Sequence, residues 1–466
     1  MKFLFPLPFI TALLISCAGE KHSVSDAPLV VGDDASLFDE DEVFADEQPD
    51  EDMIVEDPVS EQWNTKYYDR GSSIAVDATR NIYVTGTIRG NLDGNLSAGE
   101  YDVFLVKWMP DSTKAWTKQW GSDKADYGNS VAIDSAGNIY VTGDASGGID
   151  GNTMSGTHEI FLTKLNAGGT KVWTKQWGTG AFSNAVAIDS AGDVYVVGHT
   201  SGDLDGNTNA GGDCGVYACN DIFLTKWNAD GTKAWTKQWG TTKDEQGNSV
   251  ATDTAGNIYV TGYTNGGLDG NVHMSGTCGG ETPCSEIFLT KWNVDGTKAW
   301  TKQWGTELYA VGKSVAVDSD GDIYVAGYAA GDLDGNVSAG FDCASENIPP
   351  GTPCADIFVT KWTTDGTKVW TKQWGTAKHD HGYSIAIDSE KNLYVTGGTY
   401  GGLDGNINAG ETCSSSKCSD IFLTKWNADG TKAWTQQWGT AGYDIGNAVA
   451  VDSAGNVHVT GYTAKN

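Results

Sequence analysis

The chain has 466 residues, 61 of them glycine and 18 tryptophan, with a formal net charge of −31. Such acidity argues against nucleic acid as a partner, because phosphate binding needs a basic surface, and its plain use is solubility. Abundant Trp, Tyr, Val, Ile and Thr beside so much glycine describe short strands joined by tight turns, not helices.

At the N-terminus, Lys2 precedes an apolar run, Phe3–Ile15, followed by Ser16-Cys17-Ala18-Gly19. A positive start, a short apolar stretch and small residues near a cut describe a secretory leader over residues 1–16. The run is too short to remain in a bilayer as a helix. Leu14-Ile15-Ser16-Cys17 resembles the bacterial lipoprotein signal. That resemblance implies Cys17 as the lipid-modified first residue of the mature chain and, with Ala18 after it, favours the outer membrane of a bacterial envelope. Residues 17–51 follow as an acidic tether, with Asp33-Asp34, Asp39-Glu40-Asp41-Glu42 and Asp50-Glu51-Asp52 too charged to build a core.

From residue 52 to residue 466 the chain repeats itself. IYVTG or a near relative begins at Ile82, Ile139, Val194, Ile258, Ile323, Leu393 and Val457, and DIFLTKW begins at Asp102, Glu159, Asp221, Glu286, Asp356 and Asp420. Each repeat reads as four strands: A (SVAVD), B (NIYVTG), C (DIFLTKW) and D (KAWTKQWG). Asp-Ser-Ala-Gly-Asn between A and B, and Asn-Ala-Asp-Gly-Thr between C and D, place Asp or Asn at the start of a type I turn and Gly where positive φ is needed. Trp235 and Trp239, four residues apart on one strand, point to one side of the sheet and suit packing between neighbouring sheets.

Six complete units run from Asp69 to Gly439, and an A–B pair, Asp444–Gly461, ends the chain. Trp63-Asn64-Thr65-Lys66-Tyr67 echoes strand D, and Met53-Ile54-Val55 has the character of a weak strand C. Joining the two chain ends in one sheet would remove exposed edges. The expectation is therefore an all-β, seven-bladed β-propeller of four-stranded antiparallel blades, its ring closed by N-terminal strands completing the C-terminal blade. GNIYVTG, DLDGN, DIFLTKW, NADGTKAWTKQWG and SVAVD together resemble the bacterial SBBP family of β-propeller repeats. The resemblance implies a propeller in exported bacterial proteins and no single activity.

In an up-and-down sheet the tight A–B and C–D turns share one face, and the long B–C and D–A loops share the other. Function is expected on the second face. There lie the pairs Cys214/Cys219, Cys278/Cys284, Cys343/Cys354 and Cys413/Cys418, each within one B–C loop and read as a disulfide. There too stand Asp93, Asp150, Asp205, Asp269, Asp334 and Asp404, each before Gly-Asn. Asp203 and Asp332, with Asn207 and Asn336, extend two of these to Asp-x-Asp-Gly-Asn, an oxygen-rich set suited to calcium, the one cofactor this sequence raises. The competing reading is an Asp-Gly turn bonded to its own backbone. His379-Asp380-His381 carries metal-ligand chemistry but lacks a third ligand and reads as a solvated D–A loop, while His458, in place of the strand-B Tyr, reads as packing.

A ring of like residues does not supply the few unlike groups that catalysis needs. The reading is a monomeric, exported, lipid-anchored binding or scaffold module, recognising an envelope or host protein or a surface glycan on its loop face. An envelope enzyme acting on glycans or esters, and a structural surface coat, are the alternatives.

Overall fold

The computed structural model describes residues 10–17, 59–65, 69–211, 213–214, 217–274, 284–340, 353–409 and 418–464. Each A–B connection folds because an Asp carboxylate caps it. In the first repeat, Asp77 Oδ1 accepts from the backbone N–H of Thr79 and Asn81, and Asp77 Oδ2 accepts from the Tyr83 hydroxyl at 2.9 Å. The residue closing the turn has positive φ, as expected: Gly in most copies, Arg80 and Lys391 in two.

Six sheets are four-stranded and antiparallel throughout, so the propeller has six such blades, not the seven expected. Blade 1 comprises Arg70–Val76, Ile82–Ile88, Asp102–Trp108 and Lys114–Trp120 as strands A to D. Blade 6 comprises Asp380–Ile387, Leu393–Thr399, Asp420–Trp426 and Lys432–Trp438. The final hairpin, Asp444–Val451 with Val457–Ala464, does not become a further blade of this kind. Beside Val457–Ala464 lies Ile10–Cys17, and outside that lies Val59–Thr65, both pairing in parallel. The place assigned from sequence to Met53–Val55 is thus taken by a segment of the expected leader, and residues 53–55 fall outside those described.

The A strands are innermost and neighbour one another around a closed ring, with the hairpin strand Asp444–Val451 between those of blades 6 and 1. Each inner strand has a β-bulge at its middle. At four bulges an Asn spans to the next inner strand: Asn129 to Ser183 O, Asn184 to Gly247 O, Asn248 to Gly312 O and Asn447 to Gly71 O, all at 2.8 Å.

The apolar core lies between blades. The seam between blades 3 and 4 gathers Tyr195, Val197, Ile222, Leu224, Trp235 and Trp239 of one with Val250, Ile258, Val260, Leu268, Phe288 and Trp292 of the next. The strand-D tryptophans therefore pack between blades, and large aromatics supply most of the buried area there.

Candidate recognition face

Three repeated structures and one departure from the repeat make up the face of the B–C and D–A loops. The first is the Leu-Asp-Gly-Asn segment. Each B–C loop folds back over the outer strand of its own blade, because Leu268 N donates to Gln303 Oε1 at 2.9 Å and Asn271 Nδ2 reaches Leu268 O and Thr301 O. The same bonds recur through Asn95, Asn152, Asn207, Asn336 and Asn406. An edge carbonyl of strand D is thereby taken by a side chain and withheld from a foreign strand.

The aspartates of this segment adopt positive φ, near 50°. Their carboxylates do not converge: each binds the ammonium that opens strand D and the Thr three residues on. The ion pairs are Lys114–Asp93, Lys171–Asp150, Lys233–Asp205, Lys298–Asp269, Lys368–Asp334 and Lys432–Asp404, at 2.7 to 3.0 Å. Hydrogen bonds from Thr117, Thr174, Thr236, Thr301, Thr371 and Thr435 complete them. Asp203 and Asp332 cap their own loops through Asn209 N and Ser338 N. Among the described residues no three His, Cys, Asp or Glu gather as metal ligands.

The same lysines bridge the blades. Lys298 Nζ sits 5.2 Å from the ring centres of both Trp239, in blade 3, and Trp292, in blade 4, which meet edge to face at 5.0 Å. Lys233, Lys368 and Lys432 do likewise at their seams. In blade 2 the strand-C Trp is replaced by Leu165, and Lys171 has only Trp120. Each motif is thus an Asp–Lys–Trp clasp, which sequence reasoning missed because the Asp lies twenty-one or more residues from its Lys.

The cysteines Cys219, Cys284, Cys354 and Cys418 stand at equivalent buried positions, two residues before the Asp or Glu of the DIFLTKW segment, and each belongs to a disulfide. Their expected partners Cys278, Cys343 and Cys413 lie outside the described residues, and only the backbone of Cys214 lies within them.

The departure from the repeat lies at the mouth of the central channel. Lys313 and Tyr383 occupy the bulge positions that hold the bridging Asn in other blades. Around them half-buried rings form an arc: Tyr328 lies 4.4 Å from His381, His379 lies 5.7 Å from His381, and Tyr400, Tyr443 and Tyr462 follow at 6.2 and 5.6 Å. Fully buried Asp380 opens strand A of blade 6 and His381 follows it in the strand, so the His-Asp-His stretch is not the solvated loop expected. His379 Nδ1 accepts from Ala355 N at 3.1 Å. Burial, then the charges of His379 and Lys313, push His381 down to about 3, and burial lowers Lys313 and His379. At neutral pH the two histidines are uncharged hydrogen-bonding rings.

Across the channel the lining differs. Phe182 stacks between His158 and His199 at 5.4 and 5.3 Å, and burial pushes His199 down to about 4. Asp144, pushed up to about 7 by burial, accepts from Ser183 N and Asn129. The signal for this cluster was in the sequence, as departures at a fixed position of the repeat: GKSVA and GYSIA where four other copies carry Asn (GNSVA twice, SNAVA and GNAVA).

The family match agrees with this architecture. The SBBP beta-propeller repeat family matches the chain six times, over residues 115–150, 172–205, 234–269, 299–334, 369–404 and 433–466. It is 25% identical over 442 residues to an uncharacterized WD repeat-containing protein, L264, of Acanthamoeba polyphaga mimivirus, covering 76% of this chain and 31% of that protein. It is 26% identical over 272 residues to the regulatory protein FlaEY of Caulobacter vibrioides, covering 54% of this chain and 27% of that protein. The chain thus spans under a third of the length of either relative. Among solved structures, the Pan2 WD40 domain of Neurospora crassa aligns with a TM-score of 0.46 at 9% identity, over 84% of this chain and 86% of that one. At that score the likeness carries no argument about function.

Proposed function

We propose that this propeller is a binding module whose recognition site is the aromatic arc at the channel mouth. The observation that supports it is the arc itself: unlike rings replace repeated residues where the inner strands meet, while the outer strands repeat nearly unchanged. Half-buried Tyr and His rings offer stiff apolar area with polar tips. That chemistry suits a sugar ring or an aromatic-rich protein loop.

In this reading the B–C loops flank the site, clipped by the pairs Cys214/Cys219, Cys278/Cys284, Cys343/Cys354 and Cys413/Cys418, and stiff loops lose less entropy on binding. The chain is exported and held in the bacterial envelope, outer membrane, through acylated Cys17, so that in this reading processing before Cys17 removes Ile10–Ser16 from its place beside Val457–Ala464 in the mature chain. Its partner is an envelope or host protein or a surface glycan. The enzyme reading has less support, because the arc's histidines are held neutral by burial and His379 is already committed to a backbone N–H.

The test is retention of the purified chain on glycan arrays and on envelope extracts, beside a Tyr328→Ala/His381→Ala variant. A discrete ligand lost in the variant is expected, and a ligand kept by the variant would move the site elsewhere. Mass spectrometry of the mature N-terminus tests the anchor: a diacylglycerol-modified Cys17 is expected, and an intact Met1 in the native host would refute it.

A further inference from the structure

Each seam on the loop face pairs the acid that opens the DIFLTKW segment of strand C with the first residue of the next inner strand. The pairs are Asp102/Asp126, Glu159/Ala181, Asp221/Glu245, Glu286/Ala310, Asp356/Asp380 and Asp420/Asp444. Four seams therefore set two acids together, and the two that carry the longer Glu on strand C answer it with Ala. All eight paired acids are at most 1% exposed.

In the four double-acid seams the strand-C Asp has one satisfied oxygen and one bare. Asp102 Oδ2 accepts from Ala98 N and Gln119 Nε2 at 2.8 and 2.7 Å, while its buried Oδ1 has no partner. Asp221, Asp356 and Asp420 repeat this arrangement. The bare oxygen looks across the seam. A Cβ added to Gly121 would lie 2.6 Å from Asp102 Oδ1 and 2.8 Å from Asp126 Oδ2, and one on Gly439 would lie 2.5 Å from Asp420 Oδ1 and 2.9 Å from Asp444 Oδ2. Gly240 and Gly375 stand in the same way between their pairs. In the single-acid seams neither Glu159 nor Glu286 shows a bare buried oxygen among the described residues.

Among the described residues no side-chain cation relieves the pairs. Among the described residues none of the eight acids has an ion pair. Lys124, Lys243 and Lys378 stand two residues before Asp126, Glu245 and Asp380, and Lys313 and Arg70 act on the neighbouring His381 and Tyr127, but among the described residues none of them is ion-paired to a seam acid. Asp203 and Asp332 act on Asp221 and Asp356 from the B–C loops, Tyr263 faces Glu245, and Asp244, His379, His381 and Tyr443 flank the same strand ends. Ser122, Thr241, Thr376 and Thr440 donate hydrogen bonds to the strand-A acids. Two desolvated carboxylates converging on one glycine cannot both stay ionised without a counter-ion.

We infer that each of these four seams binds one proton between its two carboxyl groups, the protonated acid of strand A donating to the bare Oδ1 of the strand-C Asp. The pair titrates as a unit. In agreement, burial pushes Asp126 and Asp444 up to about 6 and Glu245 and Asp380 up to about 7. These values lie above the ordinary 3.8 of Asp and 4.5 of Glu, so the folded chain holds extra protons between those pH values. Stability is fully present below the ordinary values and is lost as pH rises through 6 to 7.

The test compares the thermal midpoint between pH 5 and 8 for the full chain and for a variant that gives all four seams the Glu/Ala arrangement. Its substitutions are D102E/D126A, D221E/E245A, D356E/D380A and D420E/D444A. A control, Asp111→Asn/Asp230→Asn/Asp295→Asn/Asp429→Asn, makes the same change in net charge at exposed turns. The buried histidines act alike in all three proteins, so relative to the variant the parent and control midpoints are expected to fall across this range, the variant lacking at least half of the fall that the seams supply. An equal fall in all three would overturn the inference. Should the variant fail to fold, infrared detection of protonated carboxyl groups in the parent at neutral pH decides. Their absence, or stabilisation at pH 8 by added divalent cation, would assign the seams to a metal ion and overturn it equally.

Discussion

The clasp of Asp269, Lys298, Trp239 and Trp292 gives a prediction that the repeat itself controls. Lys298→Met keeps the aliphatic stem over the rings and removes the charge. The ion pair with Asp269 has side chains 24% and 33% exposed, so solvent screening holds it to about 0.5 kcal/mol. The two rings at 5.2 Å add about 0.5 kcal/mol each. The expected loss is about 1.5 kcal/mol, read as a lower urea midpoint at unchanged slope. In blade 2, where Leu165 stands for the second Trp, Lys171→Met is expected to cost about 0.5 kcal/mol less. Asp269→Asn combined with Lys298→Met should cost less than the sum of the single changes, because the ion pair is counted in both. Equal costs at blades 2 and 4, or strict additivity in the cycle, would refute the clasp.

Other consequences follow from the same geometry. Millimolar calcium should leave the thermal midpoint unchanged, because the six Asp-Gly-Asn aspartates are bound to lysine; a calcium-dependent rise abolished by Asp205→Asn would contradict this. His458→Tyr should raise stability by about 1 kcal/mol at pH 7, since other strand-B tyrosines donate to the turn Asp whereas both ring nitrogens of His458 are buried without a hydrogen bond. Burial lowers the His458 pKa despite Asp452, so the parent should lose stability as pH falls below the ordinary His value and the variant should lose less. Gly439→Ala drives a methyl against Asp420 and Asp444 and should cost roughly 1–3 kcal/mol, checked by the same urea unfolding.

Much of this architecture is legible in the chain because turns and strands are local. The Asp-x-x-Gly hairpins, the alternation of strand A and the strand-D tryptophans need only neighbours in sequence. What could not be read were contacts made at a distance. Asp205 meets Lys233 twenty-eight residues on, and nothing in Asp-Gly-Asn alone distinguishes that partner from a calcium ion. Counting half-repeats at the two ends gave one antiparallel blade too many, because strand character does not fix the direction of pairing, and the strands beside Val457–Ala464 run parallel. The aromatic arc was equally hidden, since Tyr328, His381, Tyr400 and Tyr462 are remote in sequence and meet only when the inner strands close their ring.

The central claim is that the departures at the channel mouth exist for recognition. Lys313→Asn/Tyr383→Asn restores the residue that bridges inner strands elsewhere, as Asn248 does to Gly312 O. The fold should therefore survive, with a thermal midpoint equal to or above the parent's. Binding to whatever ligand the parent captures on the arrays or from envelope extracts should be lost at least tenfold. Undiminished binding by a stably folded variant would contradict the account and return the arc to packing.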